Sequence, residues 1–258
     1  MRSDDLRLAE HLARGAGDIL LSIRRRDGAA TTGRSGDQGS NRYLLDALAR
    51  ERPDDAVLSE EAADDLSRLT AERVWIIDPL DGTREFAEQN EDGTWRTDFA
   101  VHVALWTRSN GLAAGVVGLP ARDLVYRSDQ PPLDSTIAMM AVEQPLRVAV
   151  SRSRPPQLVN QIARHLPVEF APMGSAGVKV MAVVSGEADA YIHGGGQYEW
   201  DSAAPVAVAL GAGLHASRLD GSPLIYNRRD PWLPDLLVCR KQAAPKLLAL
   251  LTQLEGTR

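Results

Sequence analysis

Asp78-Pro79-Leu80-Asp81-Gly82-Thr83 places two carboxylates three residues apart, directly behind the apolar run Val74-Trp75-Ile76-Ile77. Such a run reads as a buried strand. A carboxylate at its end is costly to bury unless positive charge compensates it, and a divalent cation is the usual compensator. Pro79 biases Asp78 toward extended backbone, and a turn after it lets Asp78, the Leu80 carbonyl and Asp81 converge on one small volume. Gly82 lets backbone approach a ligand closely. Thr83 supplies a hydroxyl, and Arg84-Glu85-Phe86 can open a helix whose first N–H groups attract an anion. Carboxylates for a metal beside amides for a phosphate describe a metal-dependent phosphoryl site. Taken alone, the segment reads as a surface Asp-Pro turn, so the chemistry needs ligands from elsewhere.

Those ligands stand at the ends of other elements. Glu60 and Glu61 follow a short apolar strand, Asp201 follows Trp200 and opens an alanine-rich helix, and Asp37 lies just before the second helix. Each has an ordinary alternative: an exposed acidic loop, a helix N-cap and a loop cap, respectively. Together with Asp78 and Asp81 they provide the several oxygens that two Mg²⁺ ions require.

The elements that must hold these residues follow from periodicity. Leu6, Ala9, Leu12, Ala13, Ala16, Ile19, Leu20 and Ile23 predict a helix over 3–26, with Ser3 or Asp4 as N-cap. Residues 27–39 are polar and glycine-rich and predict a mobile loop. A second helix then starts with Ser40 or Asn41 as cap and buries Tyr43, Leu44, Leu45 and Leu48. Strands are predicted at 56–58 and 74–77, a loop at 86–97, and an alternating strand at Phe99, Val101, Val103 and Leu105. Further strands at 115–119 and 124–127 lead to a Pro-containing junction at 128–135, which divides the chain into subdomains 1–135 and 136–258. Beyond it, strands at 146–150, 168–171, 188–192, 214–218 and 236–239 alternate with helices at 155–165, 175–185, 202–210 and 243–254, the grammar of an α/β layer.

The chain has 258 residues, 44% hydrophobic and 25% charged, enough for one large domain or two intimate ones. A net charge of −6 disfavours a nucleic-acid polymer as partner, but not a small phosphorylated substrate held through metal. Cys239 is the single cysteine, which excludes an intrachain disulfide and a cysteine-rich zinc site. The N-terminus has no signal-like apolar stretch and no window reaches transmembrane length, so the expectation is a cytoplasmic protein without a membrane partner.

Glu60-Glu61, then Trp75 through Thr83, then Trp200-Asp201 resemble, in that order, the motifs of the lithium-sensitive, magnesium-dependent phosphatases of the inositol monophosphatase superfamily. The resemblance extends over nearly the whole chain, and three separated motifs are more specific than any one. Thr83-Arg84-Glu85-Phe86, Val150-Ser151-Arg152-Ser153 and Gly174-Ser175-Ala176-Gly177-Val178-Lys179 are similar to segments of the 3′(2′),5′-bisphosphate nucleotidases, the CysQ-type branch. Four local departures are a Gly174–Lys179 stretch one residue longer than in some relatives, Gly211-Ala212-Gly213 where a Gly-Gly pair is common, a loop before Asp37 with Arg34 rather than a lysine as its nearest cation, and a His193–Glu199 segment with no simple equivalent.

The resemblance implies an α/β (α+β) fold, the layered α/β/α/β/α sandwich, with the site in a cleft between two subdomains. It implies Mg²⁺-dependent, lithium-inhibited hydrolysis of 3′-phosphoadenosine 5′-phosphate to AMP and phosphate, a step of sulfur assimilation and nucleotide turnover. The alternatives are an inositol or sugar phosphatase (fructose 1,6-bisphosphate among its substrates) and, more remotely, a non-catalytic metal-binding regulator. By the same resemblance, Glu60, Asp78 and the Leu80 carbonyl hold one Mg²⁺, while Asp78, Asp81 and Asp201 hold a second. Asp37 and Glu61 contribute to a weaker third site. Thr83, with Asp37 or Glu60, orients and deprotonates a water, with no covalent phosphoenzyme. Gly82 and Thr83 grip the phosphate, and Ser151, Ser153, Gly174, Ser175 and Lys179 bind the substrate's remaining anion. Many relatives are homodimers, which makes a homodimer the expectation by analogy.

The remaining residues that could tempt a functional reading have structural explanations. His102 reads as an ordinary strand-face histidine, His11, His165 and His215 have no ligand spacing, Cys239 reads as a small core residue, and Gly194–Gly196 as a flexible turn. Lys179, read structurally, is a solvated helix lysine.

Overall fold

The computed structural model describes residues 2–64, 66–130, 145–152 and 157–255. Helix α1 (Arg2–Asp27) lays Leu6, Leu12, Leu20 and Ile23 along one buried stripe, as its periodicity predicts. After a 3₁₀ turn at Gly28–Ala30, helix α2 runs over Gly33–Glu51. Its start corrects the expected loop to Gly39: the N-cap is Thr32, whose side chain accepts from Ser35 N at 3.2 Å, and Ser40 is buried mid-helix. Glycine costs about 1 kcal/mol in a helix, but here close packing demands it. A Cβ on Gly33 would meet Thr83 at 2.1 Å, one on Gly36 would meet Leu80 and Phe86 at 2.7 Å, and one on Gly39 would meet Ile23 at 2.9 Å. Asp37 therefore sits on a helix seated against the Asp78–Thr83 segment, rather than in a loop before one.

The first sheet has the order β1-β2-β3-β4-β5, formed by β1 (Ala56–Ser59), β2 (Arg73–Asp81), β3 (Ala100–Thr107), β4 (Gly111–Leu119) and β5 (Leu124–Arg127). β1 and β2 are parallel and the remaining pairs antiparallel. A single turn of helix, α3 (Thr83–Phe86), follows β2. Trp75 and Ile77 pack with α1 and α2 on one face, whereas Val74 and Ile76 face the opposite core. Burial on both faces explains why this strand is continuously apolar rather than alternating.

The second sheet contains β6 (Leu146–Ser151), β7 (Val168–Met173), β8 (Ala190–His193), β10 (His215–Ser217) and β12 (Leu236–Cys239), in the order β10-β12-β8-β6-β7. Helices α5 (Ala176–Ser185) and α6 (Glu199–Gly211) lie between the two sheets and are apolar on almost every side. Helices α4 (Gln157–Ile162) and α7 (Ala244–Glu255) cover the outer face, where Cys239 is buried as a core residue. The five layers form the α/β/α/β/α sandwich that the family resemblance implies.

Other boundaries moved. α6 begins three residues before its predicted start, so Asp201 is its third residue and Tyr198 its N-cap. A two-stranded ribbon, β9 (Gln197–Tyr198) against β11 (Trp232–Leu233), has no counterpart in the sequence reading. Within the predicted junction, Ser128–Gln130 follow β5, and the remainder lies outside the described residues. Among the described residues no helix is long and apolar enough to cross a membrane.

Candidate active site

The site is built by a defect in strand pairing. Asp78 pairs with His102 and Asp81 with Ala100, so three steps along β2 match two along β3. Residues three apart on a regular strand face opposite sides, and one extra residue brings them to the same side. The bulge thereby turns Asp78 and Asp81 together toward the interior between the sheets. β2 does not end at Ile77, as the apolar run predicts, but continues through both carboxylates.

The first turn of α6 delivers the third carboxylate. Asp201 accepts from Tyr198 N at 2.6 Å, which orients it. Asp78, Asp81 and Asp201 each offer an oxygen, and these oxygens lie within 4.8 Å of one another. Asp78 accepts from Leu80 N at 3.0 Å through Oδ1, while its buried Oδ2 has no hydrogen-bond partner. A buried, orphaned carboxylate oxygen facing two further carboxylates fits a hard divalent cation, which takes oxygen ligands.

Electrostatics agrees with this geometry. Burial, then the charges of Glu60, Asp81 and Asp201, push the Asp78 carboxyl well above its ordinary value. Burial and Asp81 raise Asp201 to about 6. Glu60 is an exposed residue, yet partial desolvation of its carboxyl by the surrounding protein and then the charge of Asp201 raise it to about 7. Glu60 lies just past β1, outside the close trio but near enough for its charge to act on Asp78. Mutual repulsion of this kind is relieved by protons or by a cation.

Asp81 is the exception. Burial opposes its charge, but His102, Lys179 and Ser175 outweigh that penalty and hold its carboxyl well below the usual range. Its Oδ2 accepts from Ser175 Oγ at 2.5 Å and from Gly177 N at 2.6 Å, both at the N-terminus of α5. His102 Nε2 lies 3.3 Å from the same oxygen, and His102 Nδ1 is 3.0 Å from the Trp200 carbonyl. The expectation of an ordinary strand-face histidine is therefore corrected. His102 is fully buried against the carboxylates, and although burial favours its neutral form, Asp81 and Trp200 hold its pKa above the ordinary value. The available signal was its position on the strand face shared with Ala100 and Ala104, where side chains are small enough to admit α5.

The Thr83 hydroxyl lies 3.4 Å from Asp37 Oδ1 and 3.2 Å from the Leu80 carbonyl, two acceptors within reach of its one proton. Burial and then Glu61 raise Asp37 to about 6, against the lowering effect of the Thr83 hydroxyl. Glu61 is exposed, and its carbonyl accepts from Asn41 at 3.3 Å. Gly82 caps α3 at φ +92°, a left-handed conformation in which backbone lies close against Asp98 and Phe99. Ser40 donates to the Pro79 carbonyl at 2.7 Å and pins the turn to α2.

Gly174 and Ser175 direct donors at carboxylates: Gly174 N bonds Asp98 Oδ2 at 2.6 Å, and Ser175 bonds Asp81 as above. Asp98, which was not singled out from the sequence, is itself paired with Arg96. Lys179 is not a solvated helix lysine. It is 6% exposed, donates to the Gly174 carbonyl at 3.3 Å and sits 5.4 Å over the Tyr191 ring. Burial lowers its pKa, against the raising effect of Asp81, Glu85, Asp98 and Asp201. Ser151, Ser175 and Lys179 share with Asp81 and Asp201 an open cavity of about 360 Å³. Ser153 lies outside the described residues.

Comparison with known proteins agrees with this architecture. The pattern of the inositol monophosphatase family matches residues 2–255. The chain is 54% identical over 241 residues to the 3′-phosphoadenosine 5′-phosphate phosphatase of Mycobacterium tuberculosis, covering 90% of this chain and 88% of that one. It is similar to the crystal structure of CysQ from Bacteroides thetaiotaomicron, with TM-score 0.74, 27% identity and coverage of 93% and 98% of the two chains. Inositol monophosphatase II from Staphylococcus aureus shares the fold at TM-score 0.76 and 20% identity, with 97% of each chain covered. The chain is a member of the inositol monophosphatase family, whose enzymes depend on a metal ion.

Proposed function

We propose that this protein is a phosphoric monoester hydrolase that removes the 3′-phosphate of 3′-phosphoadenosine 5′-phosphate, leaving AMP. The observation that carries the reading is one cavity lined by Asp81, Asp201 and the buried Lys179. Carboxylates for a metal and a cation for an anion, in the same space, suit a substrate with two phosphates better than one with a single phosphate. Relatives at 54% identity that bear the corresponding name support the same substrate.

Mg²⁺ is the proposed metal at two positions, Glu60, Asp78 and the Leu80 carbonyl being the residues that would hold one ion and Asp78, Asp81 and Asp201 those that would hold the other; when bound, the metal would neutralise phosphate charge and acidify a water. A third, weaker site would draw on Asp37 and Glu61. The chain's own residues do the rest. The Thr83 hydroxyl donates to Asp37, which leaves the Thr83 oxygen lone pairs free to orient a water and take its proton toward Asp37. Gly82 and Thr83 present backbone N–H groups of α3 to the transferred phosphate. Lys179 attracts the remaining phosphate.

The small phosphorylated substrate, rather than a nucleic acid or membrane, is part of this proposal, as are a homodimer and a cytoplasmic location. The deciding experiment compares 3′-phosphoadenosine 5′-phosphate, inositol 1-phosphate and fructose 1,6-bisphosphate at fixed Mg²⁺, with and without lithium. Preferred, lithium-inhibited turnover of the nucleotide is expected. Much faster turnover of inositol 1-phosphate overturns the assignment.

A further inference from the structure

One part of the cavity lining is made of side chains that phosphate hydrolysis does not need. Gln197 and Tyr198 form β9, Trp232 lies opposite in β11, and all three line the same cavity as Asp201 and Lys179. Tyr198 is 42% exposed and Trp232 40% exposed, which places two large aromatic rings in contact with solvent at the mouth of the site. The rings are already organised. Tyr198 stacks on Trp200 with centroids 4.7 Å apart and meets Trp232 edge-on at 5.2 Å. The Trp232 indole is seated on Gly196, where a Cβ would fall 1.9 Å from the ring. Gly196 has φ +79°, and its carbonyl lies 2.8 Å from His193 Nε2, which pins the turn beneath the indole.

Next to the aromatics in the same ribbon lies an unanswered polar group. Gln197 is 6% exposed, and its Nε2 has no hydrogen-bond partner. A buried amide left without a partner is destabilising; the Gln197 nitrogen is closed off from solvent, so the amide meets a ligand in the cavity only once the side chain turns outward. A neutral amide offers one donor and one acceptor side by side, the complement of the edge of adenine. Flat aromatic surfaces beside it suit a base ring.

We propose that Gln197, Trp232 and Tyr198 form a nucleobase subsite, in which the purine lies against the aromatic rings and the Gln197 amide bonds its edge. The inference rests on the preceding reading that the substrate is a nucleotide, and it assigns these residues to substrate selection rather than to bond cleavage. The His193–Glu199 segment, which departs from the family's pattern, thereby acquires a role.

The test is steady-state kinetics of the full chain with Mg²⁺ on 3′-phosphoadenosine 5′-phosphate and on the base-free ribose 3,5-bisphosphate. Trp232→Ala and Gln197→Leu should each raise KM for the nucleotide about tenfold, with kcat little changed and KM for the base-free compound unmoved. Trp232→Phe, which keeps a ring, should restore nucleotide KM to near the wild-type value. Gly196→Ala, which displaces the indole without removing it, should reproduce the Trp232→Ala effect. Thermal unfolding of each variant checks that the ribbon still forms. An unchanged nucleotide KM, or an equal rise for both substrates in folded variants, overturns the subsite while leaving the hydrolase assignment standing. Wild-type protein that ignores the nucleotide but cleaves a base-free phosphate overturns the hydrolase assignment and the subsite with it.

Discussion

Arg152 and Glu85 are ion-paired at 3.0 Å, although each belongs to a motif that reads in the sequence as a mark of the substrate. Glu85 comes from Thr83-Arg84-Glu85-Phe86 at the end of the first sheet, and Arg152 follows β6 of the second. Arg152 also pairs with Glu88, and a Cβ on Gly174 would lie 2.3 Å from Glu85 Cγ. The two motifs therefore hold each other and, through Gly174, fix the start of α5 against the carboxylates.

Arg152→Ala is expected to lower stability by about 1–3 kcal/mol, since it leaves the buried Glu85 without its counter-charge. Arg152→Lys should recover part of the loss, because one ammonium cannot reproduce the fork between Glu85 and Glu88. Denaturant midpoints check this, and an Arg152→Ala midpoint equal to wild type would contradict the pairing.

The raised carboxylates make the metal-free protein sensitive to pH. Glu60 near 7 and Asp201 and Asp37 near 6 bind more protons folded than unfolded, so stability falls as pH rises through those values. His102, held above its ordinary pKa, contributes in the same direction. The thermal midpoint in chelator should therefore drop between about pH 5 and about pH 8. Saturating Mg²⁺ should remove that decline, and its binding should release protons, read by calorimetry in buffers of different ionisation enthalpy. A metal-free midpoint that climbs over the same interval refutes the mutual repulsion.

The strand–helix alternation and the acidic positions at element ends were legible because they depend on residue type and period, whereas the five layers and the grouping of the trio followed from the family resemblance. Continuous apolarity marks β2, and carboxylates at the ends of apolar runs stand out against the cost of burying them. What was not legible depends on partners distant in sequence. The glycines of 33–39 look like a loop until Leu80, Phe86 and Ile23 fill the space that they leave. His102 looks ordinary until the bulge in β2 and the glycine at 177 bring Asp81 and α5 onto it. Gln197 and Trp232 are 35 positions apart and meet only through a two-residue ribbon, too short to have a period.

Gly177→Ala tests how closely α5 must approach. A Cβ there would fall 2.1 Å from His102 Nε2, on the turn whose N–H bonds Asp81. The substitution should cost about 1–3 kcal/mol by overpacking and should weaken metal binding by shifting Asp81. A variant of wild-type stability and metal affinity would show that the approach is not required.

Thr83→Val separates proton handling from binding. The methyl keeps the volume beside Gly33, but the hydroxyl that reaches Asp37 and the Leu80 carbonyl is lost. kcat should fall on the order of 10²–10⁴-fold while KM and the Mg²⁺ titration change little. A loss confined to KM would instead make Thr83 a substrate contact.

Asp78→Asn joins stability and chemistry in one measurement. The wild-type carboxylate is 1% exposed, faces Glu60, Asp81 and Asp201, and leaves Oδ2 without a partner. An amide in its place removes one buried charge, can still accept from Leu80 N through its carbonyl oxygen, and can donate to a neighbouring carboxylate. The metal-free variant should therefore unfold at a higher temperature than metal-free wild type. The same change removes the ligand shared between the proposed metal positions, so the stabilisation by Mg²⁺ should vanish and turnover should fall on the order of 10³-fold or more. The two effects have opposite signs, which a merely damaged fold cannot produce. A variant that stays active and is still stabilised by Mg²⁺ would show that Asp78 is not the common ligand.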